Sequence, residues 1–276
     1  MKARLPILLA LFLASSSVLS GQEGPPRGKK EPPTTAEIVA FARSLEKARR
    51  SGKKEERLEL LRRALWMDDA RVSEAVGPYL KSTDSEIRKA AIRALRYHET
   101  KTAFRLLIKA AADKAVRKDA ESMAELCLAL GQCGEKAAIP VLTDDVWSNI
   151  KTKVFRARCM ALAHIREKEA VDALVKLVRM GKKGGRRRSG AGRMKPAYQA
   201  LTLLTGQRIQ PQAHLWKKWW DQNRAAFEVP REPTGLRKKE ARQWERLWRK
   251  PVQGGKARKP RRRRGGEGAQ GAGDRP

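Results

Sequence analysis

The chain has 276 residues, 33% of them charged, 5% aromatic, and a formal net charge of +32. That length holds one long repeat array or two compact domains. Helix formers dominate, and no window alternates apolar and polar residues long enough to build a sheet.

The predicted elements begin with the first twenty residues. Lys2 and Arg4 precede an apolar run, Leu5 to Leu13, interrupted only by Pro6 and followed by the small residues Ser15 to Ser20. This reads as a secretory signal peptide, residues 1–20, cleaved after Ser20 or Gly21. The run is short of the ~20 residues that a membrane span needs. The expected localisation is exported, either periplasmic or extracellular. Residues 21–34, rich in Pro, Gly and charge, read as a disordered linker.

From residue 35 to 228 a small signature recurs: Ala64-Leu65, Ala94-Leu95, Ala129-Leu130, Ala161-Leu162 and Ala200-Leu201, at intervals of 30, 35, 32 and 39 residues. Each pair sits in a helical pattern followed by a second apolar stretch, the signature of stacked helical hairpins. The clearest unit is Ser85 to Ala112. Ile87, Ala90, Ala91, Ala94 and Leu95 fall at i, i+3, i+4, i+7 and i+8 on one helix face, and Asp84 or Ser85 is placed to cap its first turn. A polar turn, His98 to Lys101, leads to a second stripe of Ala103, Leu106, Leu107 and Ala110. In the next unit, Ala124 to Leu142, Gly134 is placed to end the first helix. In the third, Arg158 to Val178, Ala170, Ala173, Leu174, Leu177 and Val178 repeat the stripe.

These segments resemble HEAT repeats of the short, bacterial, bilin-lyase-related type. The resemblance rests on Asp84, Ile87, Arg88, Ala91, Ala94 and Leu95 in one unit and on Ala129, Leu130, Gly131, Ala138, Ile139, Pro140 and Leu142 in the next. The flanking units, 54–82 and 195–227, match in apolar spacing alone. The resemblance implies an all-α fold, an α-solenoid of about five HEAT-like helical hairpins. It is specific for architecture and nearly silent on function.

The interval of 39 residues contains a basic insert, 182–193, with Lys182, Lys183, Arg186, Arg187, Arg188 and Arg193 and no acid. It reads as a flexible loop. The last unit carries Trp216, Trp219 and Trp220 at i, i+3 and i+4, next to Leu215. A leucine-threonine-glycine helix end followed by this cluster resembles the terminal unit of exported bacterial HEAT-repeat proteins. An open array end needs covering, so the three Trp are expected to form an aromatic C-terminal cap. Residues 229–250 complete the ordered part. Their helix, 236–249, carries Ala241, Trp244, Leu247 and Trp248 and is expected to fold back on that cap. Residues 251–276 read as a disordered basic tail with Arg258, Lys259, Arg261, Arg262, Arg263 and Arg264.

No catalytic pattern and no metal-ligating spacing emerges, and no cofactor is expected. Cys127 and Cys159 occupy equivalent positions in successive units, about a helix diameter, ~10 Å, apart, beyond disulfide reach. With Cys133 the count is odd. His98, His164 and His214 lack partners at ligand spacing. The expected function is therefore non-catalytic: an extracytoplasmic scaffold or protein-binding module with a protein partner. The alternative is binding of a polyanion (nucleic acid, anionic lipid or an envelope polymer) through the basic insert and tail.

Overall fold

The computed structural model describes residues 32–146, 151–183, 190–234 and 236–251; for residues 51, 182, 183 and 190–192 it describes the backbone alone. All the helices named below belong to one compact unit that begins at Thr34. Among the described residues there are thirteen α-helices, two short 3-10 turns and no strand. The fold is all-α, a HEAT-like α-solenoid.

One layer consists of α2 (Lys54–Ala64), α4 (Ser85–Leu95), α7 (Ala120–Cys133), α9 (Thr152–His164) and α11 (Gly190–Thr205), each packed on the next. We call it the A layer. The five Ala-Leu pairs all belong to it, and all ten residues are buried. The recurring pair therefore marks the A helix of each unit, where a small residue admits the neighbouring backbone and Leu fills the space beside it. The opposite layer holds α1 (Thr35–Ser51), α3 (Ala70–Val76), α5 (Lys101–Ala111), α8 (Ile139–Thr143), α10 (Lys168–Lys183) and α12 (Ala213–Asn223), with the short α6 (Lys114–Lys118) between α5 and α7. α1 precedes the first hairpin and packs on α2 and α3 through the buried Phe41, Leu45 and Ala48. Thr34 and Glu37 close a capping box at its start.

The A helices α4 and α9 are each tied to their surroundings by an Arg and a His. In the first turn of α4, Arg88 Nη1 donates to the carbonyls of Ser82 (2.7 Å) and Thr83 (3.0 Å), and in the middle of α9 Arg158 Nη1 donates to those of Leu142 (3.0 Å) and Asp144. Near their ends, His98 Nε2 meets the Ala64 carbonyl at 2.8 Å and His164 Nδ1 the Gly131 carbonyl at 2.9 Å. Both imidazoles thus reach a C-terminal carbonyl of the preceding A helix that takes only a turn bond from its own chain, Ala64 from the Met67 N–H and Gly131 from the Gly134 N–H. Gly134 ends α7 with φ 71° and Gly206 follows α11 with φ 75°, left-handed conformations that favour glycine.

The most extensive helix pairing among the described residues is α7 with α9. A Cβ at Gly131 would stand 2.6 Å from the Ala161 Cα, so only glycine admits this approach. Cys127 and Cys159 are free, buried thiols in this same interface.

Three expectations change. First, helix extends into both ends of the basic insert: Lys182 and Lys183 close α10, and residues 190–193 open α11. The packed stripe of α10, Val171, Leu174, Val175 and Val178, supports propagation into the following residues. Second, the C-terminal helix is shorter than 229–250. Within that segment the helix is α13 (Lys238–Trp248), close to the 236–249 expected for it, and Pro230 and Pro233 hold the preceding stretch out of a helix. Third, α13 does not fold back on the Trp cluster of α12. It lies along the A layer, for the reasons given next.

Candidate binding surface

After α12 the chain turns back along the A layer and binds it mainly through its own backbone. The anchor is Arg166, just beyond α9. Its guanidinium donates to the carbonyls of Pro230 (2.7 Å) and Glu232 (3.0 Å) on the returning strap, and to Leu203 (3.0 Å) on α11. These acceptors are all neutral, and burial pulls the Arg166 pKa down to about 10. Further on, Gly206 leaves room for Thr234, whose Oγ1 occupies the place of a Cβ.

α13 then crosses three A-helix ends. Its apolar residues Trp244, Leu247 and Trp248 share one face. Trp248 is 7% exposed and its ring lies 4.0 Å from that of His164. The missing side chain at Gly131 makes this seat, since a Cβ there would come within 3.0 Å of the indole. Arg96, after α4, places its guanidinium 5.4 Å over Trp248 and donates to the Leu247 carbonyl at 2.5 Å. Glu125 accepts from Arg96 at 3.3 Å and Arg93 at 2.9 Å, which holds the Arg96 fork in place. Tyr97 Oη reaches the Arg249 carbonyl at 3.4 Å, and Lys250 lies over Trp66 at 5.4 Å. The strap thus runs from the last hairpin to the edge of the first.

Where α13 diverges from α9 and α11 a groove of about 640 Å³ remains. Met160, Tyr198, Leu203, Ile209, Trp244 and Leu247 form its apolar lining. Arg156, Lys195, Arg208 and Glu240 bring charge to it, with Arg208 3.8 Å from Glu240. A smaller and more polar cavity of about 460 Å³ lies beside His98, Cys133 and Lys250.

The sequence-derived candidates are distributed as follows. Trp216 and Trp220 are buried in α12, and Trp219 is half-buried against Phe227. Trp220 Nε1 donates to Asp172 at 2.7 Å, and Arg224 forks the same carboxylate at 3.0 and 2.8 Å. Arg193 is exposed on α11. Arg186, Arg187 and Arg188 lie outside the described residues, as do Arg258, Lys259, Arg261, Arg262, Arg263 and Arg264. The groove residues were not singled out from sequence. Of them, only Trp244 and Leu247 carried a legible signal, the apolar face they share with Trp248 on a charged helix. Burial raises the Cys127 thiol to about 12 and the Cys133 thiol to about 11, far from thiolate reactivity at neutral pH. Among the described residues no group of three His, Cys, Asp or Glu is placed to hold a metal ion.

The family described as HEAT repeats matches residues 73–154. That stretch runs from α3 to the start of α9. HEAT repeats generally mediate protein–protein interaction, which accords with a scaffold built on this fold. Among solved structures, an engineered protein from a structural genomics consortium is 19% identical, over 62% of this chain and 85% of that one, at a TM-score of 0.33. At that TM-score the likeness says nothing further about the fold. No curated protein matches.

Proposed function

We propose that this protein is a non-catalytic scaffold that holds a polypeptide partner on its A-layer face, outside the cytoplasm. One observation carries the reading: that face already holds a polypeptide. Arg166, Arg96 and Tyr97 grip the strap at the carbonyls of Pro230, Glu232, Leu247 and Arg249, atoms that every peptide presents. The groove between α9, α11 and α13 continues the same surface with apolar floor and charged walls, the composition of a peptide-docking site. The extracytoplasmic location rests on Lys2, Arg4 and the apolar run that follows them.

The test is site-specific photocrosslinking in the native host. A photoreactive residue replaces Gln199, exposed at the groove, or Glu74, exposed on α3. The expected result is a protein adduct from position 199 alone, on a chain whose N-terminus is near Gly21 or Gln22. Adducts from neither site, or equally from both, count against the groove; a chain that retains Met1 in the cytoplasm counts against export.

A further inference from the structure

The groove also specifies what kind of segment it takes. We infer that its occupant is an acidic protein segment carrying a large apolar side chain among its carboxylates, a refinement that rests on the scaffold reading above. Three cations, Arg156, Lys195 and Arg208, line the groove against the single carboxylate of Glu240. Arg156 on α9 and Lys195 on α11 are both exposed. Arg208 already faces Glu240 at 3.8 Å, so the local surplus of positive charge falls to the other two. Beneath them lie Tyr198, Ile209 and Trp244, which offer apolar and aromatic surface.

Size and charge together narrow the occupant. A volume of about 640 Å³ takes a bulky side chain and its neighbours rather than a single small ion. The protein's own basic tail carries eight Lys and Arg against two acids, and the cations of the groove repel it. A second copy, at +32, meets the same repulsion. Carboxylates at the cations and an apolar anchor on Tyr198 and Trp244 satisfy both halves of the site. The anchor distinguishes this occupant from a uniformly charged polymer, which leaves the apolar floor uncovered.

The experiment uses the full chain and a fluorescent synthetic peptide of about 12 residues, Glu-rich, with one Trp and one Leu a helical turn apart. The variant is Arg156→Glu with Lys195→Glu; both sites are exposed, and circular dichroism verifies that its helix content is unchanged. Expected are binding to the parent protein, about tenfold weaker binding to the variant, and recovery on the variant with a Lys-for-Glu peptide. Replacing the peptide Trp by Ser is expected to abolish binding to both proteins. The inference is overturned by peptide binding that ignores the double substitution, by equal binding of the Ser peptide, by heparin competing as a better ligand, or by occupancy of the groove by an acyl-chain anion that the peptide cannot displace. A crosslink from position 199 that survives the double substitution leaves the scaffold reading standing and removes the acidic specificity alone. Loss of the crosslink in the parent protein removes the scaffold reading itself.

Discussion

His98 is buried and His164 half-buried as tethers between successive A helices, and that placement makes stability sensitive to mild acid. Burial lowers both pKa values from the ordinary 6.5. On acidification the unfolded chain therefore takes up protons at these sites before the folded one does. The stabilisation is complete above 6.5 and is lost as pH falls from there toward the lower folded values. Carboxylates enter at lower pH, because Asp84, Asp119 and Asp172 all titrate below their ordinary 3.8. The melting temperature is expected to hold between about pH 8 and 7, then fall as the pH drops below about 6.5. His164→Gln keeps a donor for the Gly131 carbonyl and removes the titration. Its melting temperature is expected to fall less steeply over that window, and an identical slope would assign the effect to other groups.

At the scale of elements, α13 behaves as part of the fold rather than as an appendage. Trp248 is the side chain that seats it, between His164 and the Arg96 guanidinium. Trp248→Ala is expected to destabilise the chain by about 3 kcal/mol, the lower end for a buried aromatic. Thermal melts decide, and an unchanged melt would show that α13 leaves the array freely in solution. The A helices were legible because each writes its own Ala-Leu pair at a helical period, and a local pattern needs no partner to be read. The amphipathic face of α13 was legible on the same grounds. Its destination was not. Its seat is assembled from Arg96, Gly131 and His164, one residue from each of three units, separated by more than thirty positions in the chain. The same holds for the groove, whose Arg156, Lys195 and Ile209 meet only after α9 and α11 stack. Gly131 was read as a motif residue of its repeat, when its missing side chain also makes room for Trp248.

For the whole molecule, charge separates what holds the fold from what surrounds it. The basic insert and tail together supply 12 of the +32. Deleting residues 252–276 removes eight basic and two acidic side chains and little apolar surface, so the melting temperature is expected to stay in place. If these segments hold a polyanion, heparin titrated at several salt concentrations loses affinity on deletion. Its salt slope then falls by about 0.7–0.9 for each phosphate-like contact removed. Equal slopes for both chains would leave the tail as a solvated extension. The strap has a mechanical meaning as well. An array whose units touch only their neighbours stretches like a spring, each turn opening a little. Here the Arg96–Leu247 bond joins positions 151 residues apart, and Arg166 clamps the strap midway. The spring is wound with a cord along one side: it bends away from α13 only as far as that cord allows, and pulling the ends apart loads Trp248 and Arg166 before it loads the helix pairs.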